Sequence, residues 1–566
     1  MRLLVNYDDL TREELIAVLQ RRDTLTRYGL RWERDGIAQD KSLNRDFVGL
    51  ELDPALCEGA DPWTNLIVEG DNFDALRHLA TTHGKQVKLI YIDPPYNTGR
   101  KDFVYNDSYF DATNRYKHST WLEFMYHRLV LAKSLLAEDG VIFVSIDDNE
   151  LFNLGLLMNQ VFGEHNFIAN VIWQKVFSPK NTAVHFSDDH EYVLVYAFNK
   201  EKWRPNPLPR SAGQDKAYKN PDKDKRGVWT SGDLAARNFY GEGRYAITCP
   251  SGRVIEGPPA GSYWRVSKTK FDELDKDGRI WWGKDGNNTP RIKRFLSEVK
   301  QGVVPQTLWT YEEVGHTQDA KKQLNSMLPK GRNEDVFSTP KPLQLMDRIL
   351  RLATKPGDLV VDFFAGSGTL GQAVLALNKE DGGQRKFVLV SSTEATADAP
   401  DRNLCRDVCA ARVRNAIRGG ESSEGEQLDG LGGNFAYLKA TRVPMHRLEE
   451  GLTDSMVWTF ALQACGHPLT PVAPGFSASV NGEHAIVYCA NVKAATLEKL
   501  DAFVAQHQGG VVVLTWAPAV VAERLEEHLQ RVRLVSVPHD LRRAFKQGNV
   551  RDTQDEQPDD LQGELA

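Results

Sequence analysis

Apolar residues along the chain fall into two kinds of run. Short, mostly apolar ones, LIVE at 66–69, VKLIYI at 87–92, VIFVSI at 141–146, DLVV at 358–361 and KFVLV at 386–390, have the length of strands buried on both faces. Between them, FDALRHLATTH, TWLEFMYHRLVLAKSLLAEDG, NLGLLMNQVFG and PLQLMDRILRLA carry apolar positions at helical spacing, the second expected to close at Gly140. Alternating strands and helices predict an α/β fold, a doubly wound and mostly parallel sheet with helices on both faces.

The alternation comes in two blocks, residues 48–175 and 336–418, and residues 176–335 interrupt it with a segment of different composition. One sheet assembled from both blocks, with an inserted module, is the simplest arrangement. Ahead of it, residues 1–47 form an extension opened by a capping box, Thr11 with Glu14, and by Leu10, Leu15, Val18 and Leu19 at helical spacing. Residues 419–434 (GGESSEGEQLDGLGGN) read as a flexible linker. Residues 435–546 then spell a second, smaller βαβαβ unit, and the polar, acidic residues 547–566 are expected to be disordered.

Charge changes the picture inside the insert. The whole chain of 566 residues carries −7, yet residues 201–300 hold 21 Lys and Arg against 13 Asp and Glu, a local +8. Seven of the 12 tryptophans (Trp173, Trp203, Trp229, Trp264, Trp281, Trp282, Trp309) lie in or beside this region. Basic charge interleaved with aromatics suits a surface that grips phosphates and stacks on bases; the plainer reading is a small β-rich domain whose aromatics form its core. Six scattered cysteines without a CxxC pair exclude a disulfide framework and predict no metal site, and Cys405 and Cys409 read as packing residues. No run approaches the roughly 18 apolar residues of a bilayer span, and the first residues lack a secretory signal, so a cytoplasmic protein without membrane contact is expected.

Two motifs end predicted strands, where open α/β sheets hold their ligands. Asp93-Pro94-Pro95-Tyr96 follows VKLIYI. An exocyclic base amine is a poor nucleophile because its lone pair is delocalised into the ring. A carboxylate from Asp93 and the Pro94 carbonyl can accept its two hydrogens and localise the pair, while rigid prolines aim the turn and the Tyr96 ring stacks on the base. Such a base must leave the duplex to reach the turn. The second motif, Asp362-Phe363-Phe364-Ala365-Gly366-Ser367-Gly368-Thr369, is a glycine-rich strand-to-helix turn that lacks the lysine of a phosphate loop and the spacing of a dinucleotide site. By itself it is also compatible with a tight turn that holds nothing. His127 and His190 lie on core-like stretches and read as structural.

With GDNFDAL, LIYIDPPYNTG followed by Phe103 and Tyr105-Asn106-Asp107, Trp121, Met125 and Arg128, GVIFVSIDDNE, HEYVLVYA, TPKPLQL and DFFAGSGT in this order, the chain resembles the β-group N6-adenine DNA methyltransferases, and among them the modification subunits of type III restriction-modification systems, over roughly residues 48–418. The resemblance implies a Rossmann-like methyltransferase fold in circularly permuted motif order, with the insert as target-recognition domain. It implies S-adenosyl-L-methionine as methyl donor and Asp93, Pro94, Pro95 and Tyr96 as the catalytic set. Asp362, Phe364, Gly366, Gly368 and Thr369 would form the cofactor loop, with Lys341 and Pro342 beside it and Asp71 lining the pocket. The strand after the loop ends in Ser391, Ser392 and Thr393 before Glu394, so Glu394 is nominated for the ribose hydroxyls, with Ser392 as the alternative. Double-stranded DNA, a second copy of the chain and a helicase-nuclease subunit are the implied partners. Methylation at a ring carbon needs a Pro-Cys thiolate, and no Pro-Cys dipeptide exists here. Adenine N6 and cytosine N4 remain, and the leading aspartate favours adenine; a recognition subunit without turnover is the rival from another class.

Overall fold

The computed structural model describes residues 43–98, 116–209, 215–299, 302–328, 337, 339–396, 399–422 and 425–549, with Thr11, Arg12, Ile16, Leu30 and Trp32 besides. Most of the N-terminal capping box, Phe103, Tyr105-Asn106-Asp107 and the tail beyond Asn549 therefore lie outside the described residues, while Gln547 and Gly548, expected to open a disordered tail, end the helix His539–Gly548, and Asn549 donates to the Arg77 carbonyl at 3.0 Å. Two compact units are present, Met1–Asn206 together with Gln306–Ala566, and Pro207–Pro305.

The first unit is built on a ten-stranded sheet. Its strands are β1 (Phe47–Leu52), β2 (Leu66–Glu69), β3 (Val87–Ile92), β4 (Leu136–Ile146), β5 (Phe167–Gln174), β6 (His190–Ala197), β7 (Leu308–Trp309), β8 (Leu359–Asp362), β9 (Lys386–Ser391) and β10 (Ala436–Val443). They lie in the order β1-β10-β2-β9-β8-β3-β4-β6-β5-β7. The six neighbours from β10 to β4 are parallel, while β1 and β6 run the other way. Parallel strands need both faces covered, which is why LIV, LIYI and FVLVS are buried almost throughout. Both blocks join in one sheet: Val361 on β8 stands opposite Ile90 on β3 and Val388 on β9.

The helices that cover this sheet include α1 (Asn72–Thr82), α2 (Lys117–Leu135), α3 (Leu151–Phe162), α4 (Leu343–Ala353), α5 (Thr369–Asp381), α6 (Ala411–Arg418) and α7 (Asp454–Ala464). α2 stops at Leu135 rather than Gly140, because Leu136 already takes extended angles and starts β4. Gly140 has another use: a Cβ there would lie 2.9 Å from the Val87 and Ala137 carbonyl oxygens, so its absence lets the two strands approach.

Three expected boundaries are corrected. β10 is a full member of the large sheet, antiparallel to β1 and parallel to β2, so residues 436–443 do not belong to an appended domain. Nor is the glycine-rich stretch before it a free linker. Gly419–Glu421 pairs with Gln427–Asp429, and the Asn434 side chain accepts from Thr64 N at 3.1 Å and donates to the Ala60 and Pro62 carbonyls. At the insert, the compact unit spans 207–305 rather than 176–335, since β5, β6 and β7 all pair within the large sheet.

Beyond β10, α7 packs on β1, and His78 of α1 is buried between the Val48 carbonyl (2.9 Å) and Gln463 Oε1 (2.7 Å). Burial lowers the His78 pKa. A four-stranded sheet follows, in which His484–Cys489, Gly510–Thr515 and Val532–Ser536 are parallel, as expected, with Phe476–Asn481 added antiparallel at one edge. No helix among the described residues is long and apolar enough to cross a membrane.

The second unit holds a three-stranded antiparallel sheet of Trp229–Asp233, Arg291–Phe295 and Ile280–Trp281, and a helix, Lys268–Lys276. Its tryptophans settle the choice left by composition. Trp229, Trp264 and Trp282 are buried, and their ring N–H groups donate to Asp222, the Tyr245 carbonyl and Asp275. They are core, and the exposed aromatics among the described residues of this unit are Phe239, 81% accessible beside Tyr263, and its neighbour Tyr240.

Membership of β10 in the large sheet has a measurable consequence. Leu438→Ala, at a fully buried position between β1 and β2, lowers the stability of the first unit by about 2–5 kcal/mol in denaturant unfolding. A residue in an appended domain would leave that transition in place.

Candidate active site

Because β3 and β8 are parallel neighbours, the turns that follow them open side by side at the carboxyl edge of the sheet. The turn after β3 carries Asp93 to Tyr96 and the turn after β8 carries Asp362 to Thr369. β6 runs antiparallel to β4, so its first residues, His190 and Glu191, come to that same edge.

Asp93 stands at the centre of a buried charge cluster. Lys341, 8% exposed, places Nζ 2.8 Å from each Asp93 oxygen and 2.9 Å from the Tyr96 hydroxyl oxygen. The Tyr96 hydroxyl is 2.8 Å from Asp93 Oδ1 and 3.0 Å from Glu191 Oε2, and it can donate to either. Glu191 also lies 3.3 Å from Lys341 and 3.4 Å from Lys175. Burial raises the Asp93 carboxyl above its ordinary range against the pull of Lys341, and the Glu191 charge adds to the rise. For Glu191, burial is outweighed by Lys341 and Lys175, which hold it below its ordinary range. The turn is secured from outside: Trp121 of α2, fully buried, donates its ring N–H to the Pro95 carbonyl at 2.7 Å, and Asn97 takes a left-handed φ of 57°.

The neighbouring turn is braced from below. Asp362 accepts from Phe364 N at 2.9 Å, and burial pushes its carboxyl well above the ordinary range. Gly366 and Gly368 have φ of 49° and 75°, the left-handed region that favours glycine. Arg412, fully buried on α6, donates to Thr369 Oγ1 (2.6 Å), Gln372 Oε1 (2.8 Å) and Ser367 Oγ (3.2 Å). Burial lowers its pKa to about 10, so it stays cationic at neutral pH. On the other side Asn72 donates to the Phe363 carbonyl at 3.0 Å and accepts from Arg128 Nε at 2.6 Å, and that guanidinium lies 3.6 Å over the Phe124 ring. These bonds tie α1 and α2 to the turn.

Most residues singled out in the sequence gather at this edge. Lys341 sits on the Asp93 carboxylate, in the turn that neighbours the glycine turn. Pro342 is the residue ahead of α4, and Asp71 caps α1, accepting from Phe73 N at 2.8 Å, with Arg128 3.6 Å away. Phe364 packs 6.1 Å from Phe124. Glu394, after β9, has φ of 52° and pairs with Arg402 at 2.7 Å. His127 bonds Glu123, His190 bonds Tyr192, and Cys405 and Cys409 are fully buried. Glu191 and Arg412 were not singled out. HEYVLVYA reads as a strand whose opening polar pair is unremarkable until the antiparallel register is known, and Arg412 lies in an ordinary amphipathic pattern.

Comparison with known proteins agrees with this geometry. The N6/N4 methyltransferase family, described as DNA methylase, matches residues 87–394, more than half of the chain. The chain belongs to that family. Over 360 residues it is 37% identical to the type III restriction-modification enzyme StyLTI Mod subunit of Salmonella typhimurium, covering 59% of this chain and 53% of that protein. It is 30% identical to the EcoP15I Mod subunit of Escherichia coli, covering 60% of each. With the type II methyltransferase M.KpnI of Klebsiella pneumoniae it shares 31% identity over 59% of this chain and 81% of that one. The chain thus spans only a little over half the length of these type III relatives.

The glycine turn can be tested by adding one methyl group. A Cβ at Gly368 would lie 3.0 Å from the Cys409 carbonyl oxygen in a left-handed conformation, so Gly368→Ala should cost about 1–2 kcal/mol, read as a lowered thermal midpoint.

Proposed function

We propose that the chain is a DNA methyltransferase that transfers a methyl group from S-adenosyl-L-methionine to N6 of an adenine flipped out of double-stranded DNA. The observation that carries the reading is the placement of Asp93-Pro94-Pro95-Tyr96 directly beside the glycine turn, on neighbouring parallel strands. The residues at the edge fit the donor. Asp71, Asp362 and Glu394 offer acceptors to hydroxyl, amino and cationic groups, and no lysine of a phosphate loop is present in the turn. When bound, the donor supplies a methyl carbon made electrophilic by its sulfonium.

The chain's own part is to position the amine. Asp93 and the Pro94 carbonyl accept the two N6 hydrogens, which turns the nitrogen lone pair towards the methyl carbon. As the nitrogen–carbon bond forms the carbon–sulfur bond breaks, and N6 loses one proton. Asp93, whose proton affinity burial has raised, is placed to take it. The aspartate at the head of the motif favours adenine over cytosine N4, and the type III relatives favour a modification subunit acting with a nuclease partner. Two copies of the chain per assembly belong to the same proposal.

Residues 207–305 are proposed to read the DNA through charge and exposed side chains, not through their tryptophans. Arg237 and Arg244 are exposed, and Arg244 lies over the Tyr263 ring beside Phe239.

Mass analysis of nucleosides from unmethylated DNA incubated with the protein and S-adenosyl-L-methionine should show N6-methyladenine; N4-methylcytosine would overturn the adenine assignment. Asp93→Ala should abolish transfer while DNA and donor binding persist, and turnover in that variant would remove Asp93 from the mechanism. The combined Arg237→Ala and Arg244→Ala variant should flatten the slope of log affinity against log salt by about one for each arginine that no longer neutralises a phosphate.

A further inference from the structure

The cluster around Asp93 poses a chemical problem. Lys341 Nζ lies at 2.8 Å from both Asp93 oxygens, and the Tyr96 hydroxyl is within reach of one of them. Oδ1 already accepts from both Lys341 and Tyr96 and Oδ2 from Lys341 alone, so an amine that donates to this carboxylate competes with an ammonium spread over both oxygens, and a shift of Lys341 off one of them strengthens its hold on the amine. The released ammonium and hydroxyl then need another acceptor, because a buried ammonium without one is costly. Glu191 is the other carboxylate that touches both groups among the described residues, with the Tyr96 oxygen 3.0 Å away and Lys341 Nζ 3.3 Å away.

We propose that Glu191 is a positioning residue for the methyl transfer: it takes over Lys341 and the Tyr96 hydroxyl when the target amine binds, so that Asp93 is free to accept the amine hydrogen. The inference rests on the methyltransferase reading and deepens it. Lys341 already stands between the two carboxylates, so a displacement of well under the length of a side chain completes the exchange. Both acceptors sit on rigid strand ends, Asp93 after β3 and Glu191 within β6, so their separation is set by the sheet. Lys175, 3.4 Å from the other Glu191 oxygen, keeps that residue charged and oriented. Asp93 is faced by Lys341, Tyr96, Tyr91, Asp362 and Glu191, and Glu191 is faced in addition by Lys175 and Asp147.

Single-turnover methyl transfer measured against pH tests the exchange. Transfer requires ionised Asp93, so its rate falls as pH drops through the Asp93 pKa. Glu191→Gln removes a like charge beside Asp93 and leaves Lys341 without its second anion. The acid limb should move down by about one pH unit, and the plateau rate should fall roughly tenfold or more with DNA affinity kept. Glu191→Asp keeps the charge on a shorter arm and should lower the plateau while leaving the limb in place, which also serves if Glu191→Gln does not fold. A limb that stays put in Glu191→Gln, or a wild-type plateau in Glu191→Asp, would overturn the proposal. Carbon-13 carboxyl NMR of Asp93, assigned through Asp93→Asn, reads the same coupling without turnover. A wild-type protein that transfers no methyl group would thus sink the methyltransferase reading, and the NMR titration would still decide the coupling.

Discussion

One ammonium shared by two largely enclosed carboxylates is the constraint around which this edge of the sheet is arranged. Removing ions from water costs several kcal/mol each, and a single unmatched charge left behind costs about 3–5 kcal/mol. Asp93, Lys341 and Glu191 can be buried together because Lys341 answers both carboxylates and Lys175 adds a second cation. Three separate elements supply these groups: the end of β3, the start of β6 and the segment ahead of α4. The reversal of β6 is what brings Glu191 to the edge at all, since a parallel strand would have delivered its first residue to the opposite side.

The glycine turn beside this cluster is held in a different way. Its backbone must bend through left-handed angles, and the side chains that support it, Arg412, Asn72 and Arg128, all reach it from helices. Arg412 is a buried cation that bonds neutral oxygens, so it stiffens the turn without placing a competing anion there. The two turns share one brace, since Trp121 of α2 bonds the Pro95 carbonyl and Arg128 of α2 holds Asn72 on the Phe363 carbonyl, while their spacing is dictated by the pairing of β3 with β8.

What could be read in the sequence was whatever is local. Buried runs such as LIYI within VKLIYI identify their strands because a short apolar run ended by a turn signal has few other uses, and Asp93-Pro94-Pro95-Tyr96 or the glycine turn declare themselves within eight residues. Pairings across the fold were not legible. Lys341 meets Asp93 across 248 positions, and nothing in TPKPLQL distinguishes a lysine aimed at a carboxylate from one beside the turn. β10 follows a glycine-rich stretch that looks like a divider, yet its register with β1 and β2 depends on partners more than 360 residues earlier. Gly140 satisfied the rule for ending a helix while serving strand approach, because both uses require the same missing Cβ. Tryptophan in a basic segment was ambiguous for a related reason: an indole serves a core and a base stack equally well until its burial is known.

The order of the strands also bears on how the molecule comes into being. β3 emerges from the ribosome early, but the place beside it stays open until residues 359–362 have been made, and β2 waits longer still for Ala436–Val443. A nascent chain of 350 residues already holds Asp93, Tyr96 and Lys341, with unpaired strand edges on one flank. Half-synthesised protein therefore cannot bring the two turns together, and its exposed edges are a hazard that chaperones or rapid elongation must cover.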